Sequence, residues 1–112
     1  MTRHLGRTTW TDHWNAPRPP LLAVPIGACE QHGPHLPFDT DSRIATALAE
    51  SLAEKYDDGE VLVAPAVTVG SSGEHAAFPG TLSIGAAVME QLVVELVRSA
   101  DWRCSSVPWK KT

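Results

Sequence analysis

Two short apolar runs govern what this chain can fold into. Leu21-Leu22-Ala23-Val24-Pro25-Ile26-Gly27 and Val61-Leu62-Val63-Ala64-Pro65-Ala66-Val67 are continuous, as strands buried in a parallel sheet must be. Each leads into a polar loop and then a helical pattern. After the first, Ile44, Leu48, Leu52 and Tyr56 recur at every fourth position, with Glu50, Glu54 and Lys55 on the other side. That spacing predicts an amphipathic helix of about four turns, with Asp39 or Thr40 placed to cap it and Asp57-Asp58-Gly59 to end it. After the second, Val88, Met89, Leu92, Val93, Leu96 and Val97 form a broad apolar face on a helix predicted from Gly85 to Ala100. Strand, helix, strand, helix is a βαβα unit of the α/β class with a parallel sheet. Pro25 removes a ladder hydrogen bond, so the first strand is expected to bend near its C-terminal end, and Pro65 sits similarly in the second.

The two ends depart from this alternation. Residues 1–20 show no period, and Pro17, Pro19 and Pro20 block a helix before the first strand. They read as an N-terminal arm whose Trp10 and Trp14, four apart, pack their indoles on the domain. A third apolar strand should follow the second helix, yet residues 101–112 form a divergent tail without period. Two strands and two helices leave sheet edges unpaired and helix faces half covered. Residues 21–100 therefore read as the N-terminal part of a larger domain, truncated, and as marginally stable.

The formal charge of -4, with no cluster of Lys and Arg, excludes a nucleic-acid partner. Cys29 and Cys104 are too few and too far apart for a disulfide framework or a zinc knuckle, which points to a reduced, cytoplasmic protein. Arg3, His4 and Arg7 have no apolar stretch behind them, so no secretory signal is expected. No apolar run approaches the roughly 20 residues of a membrane span.

Chemistry concentrates in the first loop, Cys29-Glu30-Gln31-His32-Gly33-Pro34-His35-Leu36-Pro37-Phe38-Asp39-Thr40-Asp41. In an extended segment residues two apart point the same way, so Glu30 and His32 can bind one ion from one side. Asp41, opening the helix, can bring a carboxylate to the same point. These are ligands of a hydrolytic metal centre, although acids near a helix N-terminus are also common for dipole reasons alone. Cys29 with His32 as base is a poor nucleophile pair, because residues three apart in an extended loop face opposite sides. His35, between two prolines, reads as a loop-shaping group. Both loops follow strands and so leave the same sheet edge, which sets Glu74 and His75 of the second loop, Gly70–Thr81, beside the first. Phe78 there could wall a pocket or cap the core.

Glu30-Gln31-His32-Gly33-Pro34-His35-Leu36-Pro37, followed by Thr40-Asp41, resembles the N-terminal signature of the creatininase family of metal-dependent amidohydrolases. Glu74-His75-x-x-Phe78-Pro79-Gly80-Thr81 is similar to that family's second loop. The fuller match, from Val24 to Gly85, is most similar to the branch that serves the mycofactocin system. The resemblance implies a three-layer α/β fold and a hydrolase with two divalent ions (Zn, Fe or Mn) that cleaves a peptide or cyclic amide bond. In that branch the implied substrate is a modified precursor peptide that loses a C-terminal fragment. Glu30, His32 and Asp41 carry over as metal ligands, with Asp41 as bridge. Glu74, His75 and Phe78 fall beside the substrate, and a homo-oligomer is expected. Family members are longer, and an Asn-Gly-His motif after a third strand supplies a further ligand. That motif does not occur here, and the pattern is lost at about Asp101, as a shifted frame or truncated gene would produce. The competing expectations are a non-catalytic remnant that binds metal or a partner chain, and a small independent binding module.

Overall fold

The computed structural model describes residues 3–14 and 16–103. In chain order it contains α1 (Trp10–Trp14), β1 (Leu21–Ala23), α2 (Thr40–Lys55), β2 (Val61–Val63) and α3 (Gly85–Ser99). The predicted βαβα order is present, and β1 and β2 are parallel, with Leu21 opposite Val61 and Ala23 opposite Val63. Residues 104–112 of the expected tail, Cys104 among them, lie outside the described residues. Ala100–Arg103 form a 3-10 turn where a third strand was expected.

Both strands are shorter than their apolar runs, and the prolines are the reason. Pairing continues past them through carbonyls, since the ladder at these points asks no N–H of proline. Val67 N–H donates to Pro25 O (2.9 Å), Gly27 N–H donates to Val67 O (2.8 Å), and Ile26 sits opposite Val67 as an isolated bridge. The second segment advances one residue more than the first between the Ala23–Val63 and Ile26–Val67 pairs, which is a bulge. The bend predicted at Pro25 is therefore shared by both strands.

The N-terminal arm docks differently from expectation. Trp10 and Trp14 do not pack on the domain. They meet each other edge to face, centroids 5.5 Å apart, and Trp10 remains 70% exposed. What docks is the segment before them. Val63 N–H donates to Arg3 O (2.6 Å), His4 pairs with Val63 as a bridge, and His4 Nε2 lies 3.1 Å from Glu50 Oε1 on α2. An edge N–H of β2 needed an acceptor, and the arm supplies one.

The inner face of α2 is also not the one its large residues suggest. Ser42, Ala49 and Ala53 are buried, and the two alanines join Val61 and Val63 in the core, with Ala23 and Tyr56 at its margin. Ile44, Leu48 and Leu52 face outward, Leu48 being 67% exposed. Small side chains let the helix axis approach the sheet closely, and that decides which face turns in. On α3 no residue is buried, and Val88 and Val97 are exposed. Neither Asp39 nor Thr40 caps α2 through its side chain. The Asp39 carboxylate accepts from Arg43 Nε (2.9 Å), and Thr40 Oγ1 donates to Pro37 O (2.6 Å). No helix among the described residues is long and apolar enough to cross a membrane.

Candidate metal centre

The chain turns from β1 into its first polar loop at Gly27, which lies directly on the start of α2. A Cβ at this position would overlap Ser42, whose hydroxyl donates to Ala28 O (3.2 Å). This close approach brings Asp41 onto the loop. The loop closes on itself through Glu30 N–H to Phe38 O (3.2 Å) and a His32–Leu36 bridge, with Gly33 in the left-handed region (φ 75°) that glycine adopts without cost.

His32 is held at both nitrogens. Nδ1 lies 3.0 Å from Glu30 O, a carbonyl that can only accept, so Nδ1 carries hydrogen. Nε2 lies 3.1 Å from Asp41 Oδ1. Without a metal ion that second contact is made by the protonated ring, and the His32 pKa is raised above its ordinary 6.5. The Glu30 carbonyl is the main cause, and the Asp41 and Glu30 carboxylates add to it against partial desolvation. Glu30, His32 and Asp41 are all half-buried. One donor atom from each lies within 4.8 Å of the other two. The convergence expected of these three residues is what the structure contains.

The second loop is tied down beside them. Leu82 N–H donates to Cys29 O (2.9 Å), Gln31 N–H to Thr81 Oγ1 (3.2 Å), and Ser72 N–H to Ser83 Oγ (2.9 Å). Glu74 and His75 lie in a 3-10 turn, Gly73–His75. His75 Nε2 stands 3.7 Å from Glu30 Oε2 and 3.8 Å from Glu74 Oε1, so Glu30, Glu74 and His75 form a second cluster that shares Glu30 with the first. Phe78 is exposed at the outer end of this loop, while the ring of Phe38, which sequence reasoning did not single out, lies over Gly80. Cys29 Sγ points to Gly80 O (3.7 Å), and His35 is exposed. Sequence reasoning also passed over Gln31, which ties the two loops together. Its place between Glu30 and His32 was the available signal, since alternation turns it away from them and towards the neighbouring loop.

The α/β fold and this loop-borne cluster define a class, and the comparisons agree with it. The chain belongs to the creatininase family: the family model described as creatinine amidohydrolase matches residues 6–103. Among curated proteins, it is 55% identical over 85 residues to the mycofactocin precursor peptide peptidase of Mycolicibacterium smegmatis, covering 73% of this chain and 34% of that protein. It is 32% identical over 101 residues to the creatinine amidohydrolase of Pseudomonas putida, covering 84% and 38%. Among solved structures, a creatininase described as Zn-Zn type superimposes with TM-score 0.81 at 28% identity, covering 94% of this chain and 42% of that one. One described as creatininase Mn matches to the same extent. The chain thus spans about a third of the length of the curated relatives it matches.

Proposed function

We propose that this chain carries part of a divalent-metal centre for hydrolysis of peptide or amide bonds, with Glu30, His32 and Asp41 as the ligands. The observation that carries the reading is the convergence of these three donor atoms within 4.8 Å. The donor set suits the task, since carboxylate and imidazole together bind Zn, Fe or Mn. When bound, such an ion polarises a carbonyl and lowers the pKa of bound water towards ~7. The chain's own residues prepare for it. Glu30 O keeps the hydrogen on His32 Nδ1, so the neutral ring presents the Nε2 lone pair towards Asp41. Asp41, whose carboxylate has two oxygens, would join His32 in holding the ion and could also reach a second one in a two-ion centre.

The relatives named as mycofactocin precursor peptide peptidases support a modified precursor peptide as substrate, and the release of its C-terminal fragment as the reaction. Glu74, His75 and Phe78 are assigned to the substrate side. The full reading is a cytoplasmic homo-oligomer that acts away from membranes and nucleic acid; the net charge of -4 supports the last point. A second reading, a metal-binding but non-catalytic chain, is favoured by the apolar faces of α2 and α3 that nothing among the described residues covers. Calorimetric Zn²⁺ titration of wild type and Glu30→Gln, with mass spectrometry of precursor peptide incubated with the protein, tests both. Zn²⁺ binding lost in Glu30→Gln supports the centre, and its absence in wild type refutes it. We expect no fragment release by the 112 residues alone, because a two-metal mechanism needs ligands beyond three to hold both ions. Turnover that Glu30→Gln abolishes would refute the non-catalytic reading.

A further inference from the structure

Gln31 spans the two loops. Its side-chain oxygen Oε1 lies 2.9 Å from the backbone nitrogen of Gly33. A backbone N–H can only donate, so chemistry fixes which end of the amide faces Gly33. The NH₂ end then faces His75 Nδ1 at 2.9 Å and can only donate to it. Nδ1 of His75 is therefore the lone-pair nitrogen, and the ring hydrogen sits on Nε2. That nitrogen stands 3.7 Å from Glu30 Oε2. His32 is set the other way: its Nδ1 donates to Glu30 O, so when its ring is neutral the lone pair lies on Nε2. In their neutral forms the two neighbouring histidines are thus opposite tautomers, set by one carbonyl and one amide.

The geometry points to Gln31 as a positioning residue that locks His75 in the Nε2–H tautomer. This keeps His75 from binding metal and leaves its Nε2–H for the carboxylates of Glu30 and Glu74, whose oxygens stand 3.7 and 3.8 Å away. A nitrogen carrying hydrogen cannot ligate an ion, because histidine binds through a free lone pair. Of the two clusters that share Glu30, only the one with His32 and Asp41 is then competent for metal. Ligating carboxylates are characteristically held by a further hydrogen-bond donor, and His75 would serve Glu30 in that way if the 3.7 Å gap closed to hydrogen-bond length. The role of His75 rests on the metal reading above; its tautomer does not.

The test is long-range ¹H–¹⁵N correlation on the full chain labelled at histidine, at a pH where the rings are neutral. Without metal, His75 should show a protonated Nε2 and a bare Nδ1. Gln31→Glu keeps the shape and the acceptor for Gly33 but replaces the donor by an acceptor, so His75 should switch to the Nδ1–H form. Added Zn²⁺ should then give a ligand signature at His32 alone in wild type, and at both His32 and His75 in Gln31→Glu. A wild-type His75 protonated at Nδ1, or a tautomer unmoved by Gln31→Glu, overturns the inference. If that variant fails to fold, the wild-type metal-free spectrum decides the tautomer by itself. Zn²⁺ that changes neither ring would refute the metal reading and the role given to His75, while the tautomer would still be judged from the metal-free spectra.

Discussion

Adding one methyl group at Gly27 probes how α2 delivers Asp41 to the centre. The new Cβ would overlap Ser42 Cα and Oγ and stand 2.7 Å from Ser42 N. Ordinary contact begins at about 3.5 Å, so the start of α2 must withdraw by about 1 Å. The obstacle is backbone, which cannot rotate aside as a long side chain can. Overpacking of this kind costs about 1–3 kcal/mol. Gly27 is not among the glycines with positive φ, so alanine also restricts the unfolded chain and returns about 0.4–1 kcal/mol. A net loss of about 1–2 kcal/mol remains. The same withdrawal lengthens the 3.1 Å contact between His32 Nε2 and Asp41 Oδ1 beyond hydrogen-bond range. Zn²⁺ affinity should fall roughly tenfold to a hundredfold, as when the support of a metal ligand is lost. Urea unfolding and Zn²⁺ calorimetry on Gly27→Ala check both effects. Gly6→Ala is the control, because a Cβ at Gly6 meets nothing within 4 Å. Equal stability and equal Zn²⁺ affinity in the two variants would refute the reasoning.

Asp41→Asn should weaken Zn²⁺ binding more than His35→Ala, because it removes a charged donor from the cluster whereas His35 is exposed; equal losses in calorimetry would argue against Asp41 as a ligand. The raised pKa of His32 favours the protonated ring in the folded state, so its stabilising contribution is complete below the ordinary value of 6.5 and fades as pH rises through the raised one. Metal requires that proton to leave, so Zn²⁺ affinity should rise about tenfold per pH unit across this window, with about one proton released per ion. Calorimetry in buffers of different ionisation enthalpy measures that release, and a flat affinity would contradict it. Ile44, Leu48 and Leu52 on α2, with Val88 and Val97 on α3, form uncovered apolar faces, so the purified chain should self-associate. Leu48→Lys should reduce that in sedimentation velocity, whereas a clean wild-type monomer with a sharp unfolding transition would contradict it.

Order and class of the elements were legible because periodicity reports which residues want burial. Which face is actually buried was not. The spacing of Ile44, Leu48 and Leu52 is a true apolar stripe, yet closeness of approach made Ala49 and Ala53 the inner residues. The docking of Arg3 and His4 was invisible for another reason: it runs through backbone groups, and no side-chain pattern encodes it. At the site, the meeting of Glu30, His32 and Asp41 was readable from spacing, because one loop and one helix start hold all three. Gln31 was harder to read, since its meaning depends on His75 and Gly33 at once.

The place of β2 also has a consequence for the order of assembly during synthesis. β1 on one side and the Arg3–His4 segment on the other both pair with Val61–Val63. Neither can settle until that segment has been made, so every strand contact is distant in the chain, and such pairings form slowly. A ribosome adding about 5–20 residues per second leaves the earlier segment waiting for seconds. The strand that carries the loop of Glu30 and His32 gains its partner only once Val61–Val63 have been made.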